Sequence, residues 1–262
     1  MTRTTVTLLA LSLLLAPACK KDGSTADSGD ATPAPTEELD PKWPTIELDG
    51  VLMSVRWSDG DSFKFKSGPH EGKGVRLVGY NTLESYGPVH RWGDWTAVEL
   101  YGIAKSSWKL GASQTWSCTT AGEADHYGRL LVNCPDAAEY IVAEGHGMVF
   151  VLDEDAPASL IRAQKLAQKK RVGMWEKGVP EELVTSLHSA DEGEEKSKTY
   201  NRVVSTKTGK SREATHKSTY DVCEEVCVGG ETGSCMVYVP FENRYRNKAE
   251  CLQVKEMGRG RR

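Results

Sequence analysis

The sequence predicts an α+β fold, a small β-barrel with helices appended. Three observations carry this expectation. Short alternating runs bounded by turn residues fill the first half of the patterned region, and helical periodicity takes over in the second half. The patterned region itself, from about Ile46 to about Leu187, is long enough to enclose one compact core. The chain has 262 residues and a formal net charge of −4, an ordinary mixture in which no stretch reads as a membrane span.

Taken in order, "MTRTTVTLLALSLLLAPACKK" has a basic residue (Arg3), an apolar run from Val6 to Leu15 too short to cross a bilayer, and small residues before Cys19. Residues 1–19 therefore read as a lipoprotein-type signal peptide. Cys19 is the lipidation site, and the anchor ties an exported protein to a bacterial membrane, periplasmic or surface, without a transmembrane helix. The alternative is a plain signal peptide in which Cys19 is incidental. Residues 20–44 are rich in Ser, Asp, Thr, Pro and Ala with almost nothing apolar, and read as a disordered tether. Residues 45–188 form the main domain, 189–218 a polar linker, and 219–262 a cysteine-rich, basic C-terminal segment.

Within the main domain, "IELDGVLMSVRW" and "SFKFKSG" read as two strands around an Asp-Gly-Asp turn, and "GKGVRLVGYN" as a third. "HRWGDWTAVELYGIAKSSWKLG" suits a helix. "SQTWSC" and "YGRLLVNC" read as two strands joined by a polar loop. "DAAEYIVAEG" is a helix with a glycine at its stop position, and "ASLIRAQKLAQKKRVGMW" is amphipathic, with Leu160, Ala163 and Ala167 on one stripe.

Three pieces place polar residues at strand edges, where the side chains of a barrel can converge on one mouth: "DGDS" at Asp59–Ser62, "VRLVGYNTLES" at Val75–Ser85 and "DHYGRLL" at Asp125–Leu131. Each alone is a common turn or strand end. In their order and spacing they resemble the staphylococcal nuclease (thermonuclease) family, whose pattern runs Asp-Gly-Asp-Thr, Arg-Leu followed by Asp-Thr-Pro-Glu, then Asp-x-Tyr-Gly-Arg, and later a basic helix ending near a Trp, here Trp175. The resemblance covers roughly Ile46 to Leu187.

It implies a five-stranded barrel of the oligonucleotide-binding type and Ca²⁺-dependent hydrolysis of phosphodiester bonds in DNA or RNA by a monomer. Arg76 and Arg129 would fork onto phosphate oxygens, Glu84 would act as general base or orient the water, and Tyr127 would contact substrate. Asp59 and Gly60 would make the turn, leaving Asp61 to ligate Ca²⁺ with Asn81 and the Thr82 carbonyl.

Two departures stand out. Asn81 takes the place of the family's second metal carboxylate and Leu83 the place of its proline, and the family's substrate-packing tyrosine is replaced near Phe150 and Val151. The first raises an alternative from another class, a non-catalytic module that binds nucleic acid or protein on the same barrel.

Exported cysteines are expected to pair. Cys118 and Cys134 flank the hairpin that carries Tyr127 and Arg129, so a disulfide would brace the arginine loop. Cys223, Cys227, Cys235 and Cys251 read as further disulfide partners, with a zinc site as the alternative. The six histidines show no metal-ligand spacing; His126 alone sits inside a motif. Trp92 and Trp95 read as core or rim, with a nucleic-acid groove as the sharper alternative.

Overall fold

The Asp49-Gly50 pair decides how the barrel begins. Both residues have positive φ, 49° and 83°, the requirement of a two-residue hairpin turn, which Asp-Gly meets at little cost. The first predicted strand therefore folds back on itself as β1 (Thr45–Leu48) and β2 (Val51–Trp57), paired antiparallel. The computed structural model describes residues 39–253 apart from 88, 193–198 and 246. The signal peptide, Cys19 and most of the tether lie outside the described residues.

β3 (Ser62–Phe65), β4 (Gly74–Leu77), β5 (Tyr80–Thr82) and β6 (His90–Arg91) follow, then α1 (Ala97–Gly111). A reciprocal capping box between Thr96 and Glu99 starts α1. Next come β7 (Trp116–Cys118), β8 (Leu130–Val132), α2 (Pro135–Ala143), β9 (Gly147–Val149) and α3 (Ala158–Lys170). The sheet runs β7-β1-β2-β3-β4-β8. Its two outer strands meet through Thr119 and Asn133, which exchange backbone hydrogen bonds of 2.9 Å each, and through the Cys118–Cys134 disulfide just beyond. The result is a nearly closed barrel of six strands, one more than the resemblance implies, because of the Asp49-Gly50 turn.

Alternating inward residues of β1 to β4 and β8, including Ile46, Met53, Val55, Phe63, Phe65, Val75, Leu77 and Val132, fill the core, and Ala137, Ala138 and Ile141 of α2 close one end. Leu160, Ala163 and Ala167 of α3 are buried on one stripe, as their spacing predicts. Trp92 and Trp95 are core residues. Their indole N–H groups donate to the Gly178 and Met174 carbonyls, so they line no groove.

Within the stretch expected as a polar linker, residues 199–205 and 211–216 are strands. β10 (Glu182–Ser186), β11 (Thr199–Ser205) and β12 (Ser211–His216) form a three-stranded antiparallel sheet. Its polarity misleads because the buried face is small: Val203 and Val204 are fully buried, and Asn201 is buried but accepts a hydrogen bond from the His188 N–H and donates one to Tyr220.

The cysteine-rich segment is docked on the barrel domain. β13 (Glu225–Val228) and β14 (Ser234–Val237) make a hairpin, and β14 also pairs antiparallel with β6. Met236, Tyr238, Val239 and Leu252 share a buried cluster with Tyr86, Val89, Val184 and Leu187. α4 (Glu242–Tyr245), which follows β14, is a single turn. The four cysteines pair as Cys223–Cys251 and Cys227–Cys235, so the thiolates a zinc site would need are absent. Among the described residues no helix is long and apolar enough to cross a membrane, and three disulfides fit export to an oxidising compartment.

Candidate functional site

The turn between β2 and β3 is built around a close approach. A Cβ on Gly60 would stand 2.7 Å from Thr82 Cγ2 and 2.8 Å from Ser107 Cβ, so only glycine fits. The Asp61 N–H donates to Asp59 Oδ1 at 3.2 Å, which fixes Asp59 as the turn residue. Asp61 is then buried and surrounded by donors. Its Oδ1 accepts from Ser62 Oγ at 2.9 Å and pairs with Arg76 Nη1, while its Oδ2 accepts from the Thr82 N–H at 2.6 Å and Thr82 Oγ1 at 2.8 Å. Burial alone would raise the pKa of Asp61, but Arg76, Thr82 and Ser62 outweigh it and hold the carboxylate ionised.

Arg76, on β4, spans three neighbours. Besides Asp61 it donates from Nη2 to Asn81 Oδ1 at 2.7 Å and to the Tyr80 carbonyl at 3.3 Å. β5 carries Asn81 and Thr82 beside it because Tyr80 is anchored beneath, its hydroxyl donating to the Gly60 carbonyl at 2.6 Å. Glu84 follows after β5; its N–H donates to Nε2 of His90 at 3.4 Å. Burial holds that imidazole neutral by lowering its pKa to about 4, so it can serve as the acceptor.

Arg129 is held by its own loop. Asp125 Oδ1 accepts from the Tyr127 N–H at 3.0 Å and the Arg129 N–H at 2.9 Å, and Oδ2 accepts from Arg129 Nε at 2.8 Å. The Arg129 guanidinium also lies 5.5 Å from the Tyr127 ring centre. The Cys118–Cys134 disulfide ties the base of this loop, as expected. His126 stacks on Tyr127, with ring centres 3.7 Å apart, and does not line the cleft.

All seven residues that the resemblance assigns to catalysis, metal or substrate therefore line one cleft of about 280 Å³: Asp61, Arg76, Asn81, Thr82, Glu84, Tyr127 and Arg129. Seven further residues join them: Asp59, Ser62, Leu83 and Tyr86 from the main domain, and Phe241, Arg244 and Tyr245 of the cysteine-rich segment, which the sequence reading did not assign to the site. The spacing of these last three, three and one, places them on one face of a helical turn, the signal that was present in "FENRYR".

The cleft is over-supplied with acid. Burial first and the Asp61 charge second push Asp59 up to about 8 and Glu84 up to about 7, and the guanidiniums nearby do not offset this. Asp59, Asp61, Glu84 and the Asn81 amide bring side-chain oxygens to the cleft, and among the described residues Asp59 and Glu84 form no ion pair. These residues fit a hard divalent cation such as Ca²⁺. The cation present in the structure is the Arg76 guanidinium, which occupies Asp61 Oδ1 and Asn81 Oδ1 together. The cluster of Glu225 with Cys227 and Cys235 is no counterpart, since both sulfurs are in a disulfide. No family model matches the chain, and no curated protein matches it either.

Proposed function

We propose that the protein is an exported phosphodiesterase of the thermonuclease kind, hydrolysing DNA or RNA with Ca²⁺ on a barrel of the oligonucleotide-binding type. The observation that carries this is one cleft in which the guanidiniums of Arg76 and Arg129, with Arg244 beside them, a metal-compatible oxygen set and a carboxyl group with a pKa near neutral converge. Hydrolysis of a phosphodiester needs these three provisions: charge neutralisation, an activated water and support for a more highly charged transition state.

Asp61, Asn81 and Thr82 would hold Ca²⁺, which supplies Lewis-acid polarisation of the phosphate. Glu84, with a pKa raised to about 7, accepts the proton of the attacking water, whose oxygen bonds to phosphorus as the ester P–O bond breaks. The departing oxygen is protonated from solvent. Arg129, held by Asp125, presents its guanidinium to the phosphate. Arg76 can do the same once it leaves Asn81, and a cation at Asp61 and Asn81 would release it. Lipidation of Cys19 would keep this activity at the membrane, and mass spectrometry of the mature N-terminus tests it: an unmodified terminus elsewhere overturns the anchor.

A second reading has its own support. Because Arg76 satisfies Asn81 at 2.7 Å and pairs with Asp61, the site is internally neutralised around those two residues, as a non-catalytic module would be. Degradation of denatured DNA by purified protein in Ca²⁺, stopped by chelator, supports the nuclease. Absence of degradation at every Ca²⁺ concentration, with binding intact, supports the module.

A further inference from the structure

Four aromatic side chains are exposed by more than a third among the described residues, and three of them, Tyr127 (69 %), Phe241 (70 %) and Tyr245 (64 %), line the same charged cleft. Tyr127 comes from the arginine loop. The other two come from a segment that reaches the cleft only through tertiary contacts.

That segment is firmly attached. The β14–β6 pairing, the Arg91–Glu225 ion pair and the packing of Leu252 against Gly87 and the Tyr86 cluster hold it to the barrel. The Cys223–Cys251 disulfide ties its two ends. Arg244 is aimed rather than free: its Nε donates to the Val239 carbonyl at 2.9 Å and its guanidinium lies 5.4 Å from the Tyr86 ring centre. The Phe241 and Tyr245 rings stand edge to face, 5.9 Å apart. Rings that served only to pack the segment would be covered, as Tyr86 is at 9 % exposure. These two are not.

We propose that Phe241, Arg244 and Tyr245 form a second wall of the cleft that binds single-stranded nucleic acid beside the scissile phosphate, the rings stacking on bases and Arg244 meeting a backbone phosphate. An array of exposed rings beside guanidiniums is what an unpaired strand recognises, since every base offers a π-face and every linkage a negative charge. A duplex, with its bases already stacked, gains nothing from the rings. The inference rests on the reading of the cleft as a nucleic-acid site, but not on its being catalytic.

The test is fluorescence anisotropy of a labelled single-stranded oligodeoxynucleotide in chelator, with the full mature chain. Phe241→Ala and Tyr245→Ala are each expected to weaken binding at least about fivefold, and Arg244→Gln to flatten the slope of log affinity against log salt by about 0.7. Phe241→Ala should melt with the wild type; Tyr245 also meets the Tyr86 ring edge to face, centres 6.0 Å apart, so a Tyr245→Trp variant that restores affinity separates stacking from a structural role. Wild-type cleavage with unchanged affinity in all three variants overturns the wall and leaves the nuclease standing. Weakened affinity in the variants, beside a wild type that binds but never cleaves, supports the wall and removes the nuclease. A wild type that neither binds nor cleaves overturns both.

Discussion

Glu84→Gln is the most informative single change, because among the described residues the side chain accepts no hydrogen bond that the amide would lose, and its chemistry is set by burial and by the Asp61 charge. Burial and the Asp61 charge raise its pKa from 4.5 to about 7. A group whose folded pKa is raised holds its proton in the native state after the unfolded chain has released it. Stability is therefore full below about pH 4.5 and falls as pH rises toward 7. The full gap corresponds to about 3 kcal/mol. Since the carboxyl still meets water at the cleft mouth, roughly 2 kcal/mol is the expected penalty.

Glutamine cannot ionise. In chelator the variant should match the wild type near pH 4.5 and exceed it by about 2 kcal/mol at pH 8, read by urea unfolding across that range with all disulfides intact. Asp59, raised to about 8 chiefly by burial and the Asp61 charge, is present in both proteins; the Glu84 charge is a smaller cause of its shift and is removed with the carboxylate. Calcium should recover part of the wild-type deficit at pH 8 by supplying the missing cation. Superimposable pH profiles for the two proteins would show that Glu84 ionises as an ordinary surface carboxylate, and the assignment of a near-neutral base would fall.

Three other expectations follow from the same geometry. Arg76→Lys and Arg129→Lys should each lower cleavage roughly a hundredfold while the fold survives, because lysine keeps the charge but loses the planar fork; near-normal turnover in either would remove it as a phosphate clamp. Asn81→Asp should lower the Ca²⁺ concentration needed for half-maximal cleavage, since an added carboxylate strengthens a hard-cation site; calorimetry that shows unchanged affinity would mean residue 81 does not face the metal. Replacing Cys118 and Cys134 by serine should cost about 3 kcal/mol in urea unfolding, as expected for a loop of 16 residues released in the unfolded chain, and a loss below about 1 kcal/mol would show that the Thr119–Asn133 pairing closes the barrel unaided.

What the sequence disclosed was what depends on near neighbours. The Asp-Gly-Asp turn, the buried stripe of α3 and the cysteine pair around the arginine loop are all set within a few turns or one hairpin of chain. The engagement of Asn81 by Arg76 was hidden, because it depends on how β4 and β5 meet at a bend. β11 and β12 were hidden for a different reason: their outward faces are polar, and what makes them strands is pairing with one another and with β10. Phe241, Arg244 and Tyr245 were not picked out, since nothing local says that Cys235 will lie opposite Arg91 and bring them to the cleft.

That last pairing joins residues 144 positions apart, and it gives the cleft an order of assembly. Synthesis delivers the barrel before the segment that carries Phe241, Arg244 and Tyr245, so a nascent chain has an unpartnered β6 edge and an incomplete rim until that segment emerges. Two of the three crosslinks belong to this late part, and thiols become crosslinks only where oxidant is supplied. If the chain is exported as proposed, closing these two crosslinks and completing the rim would fall in the same compartment.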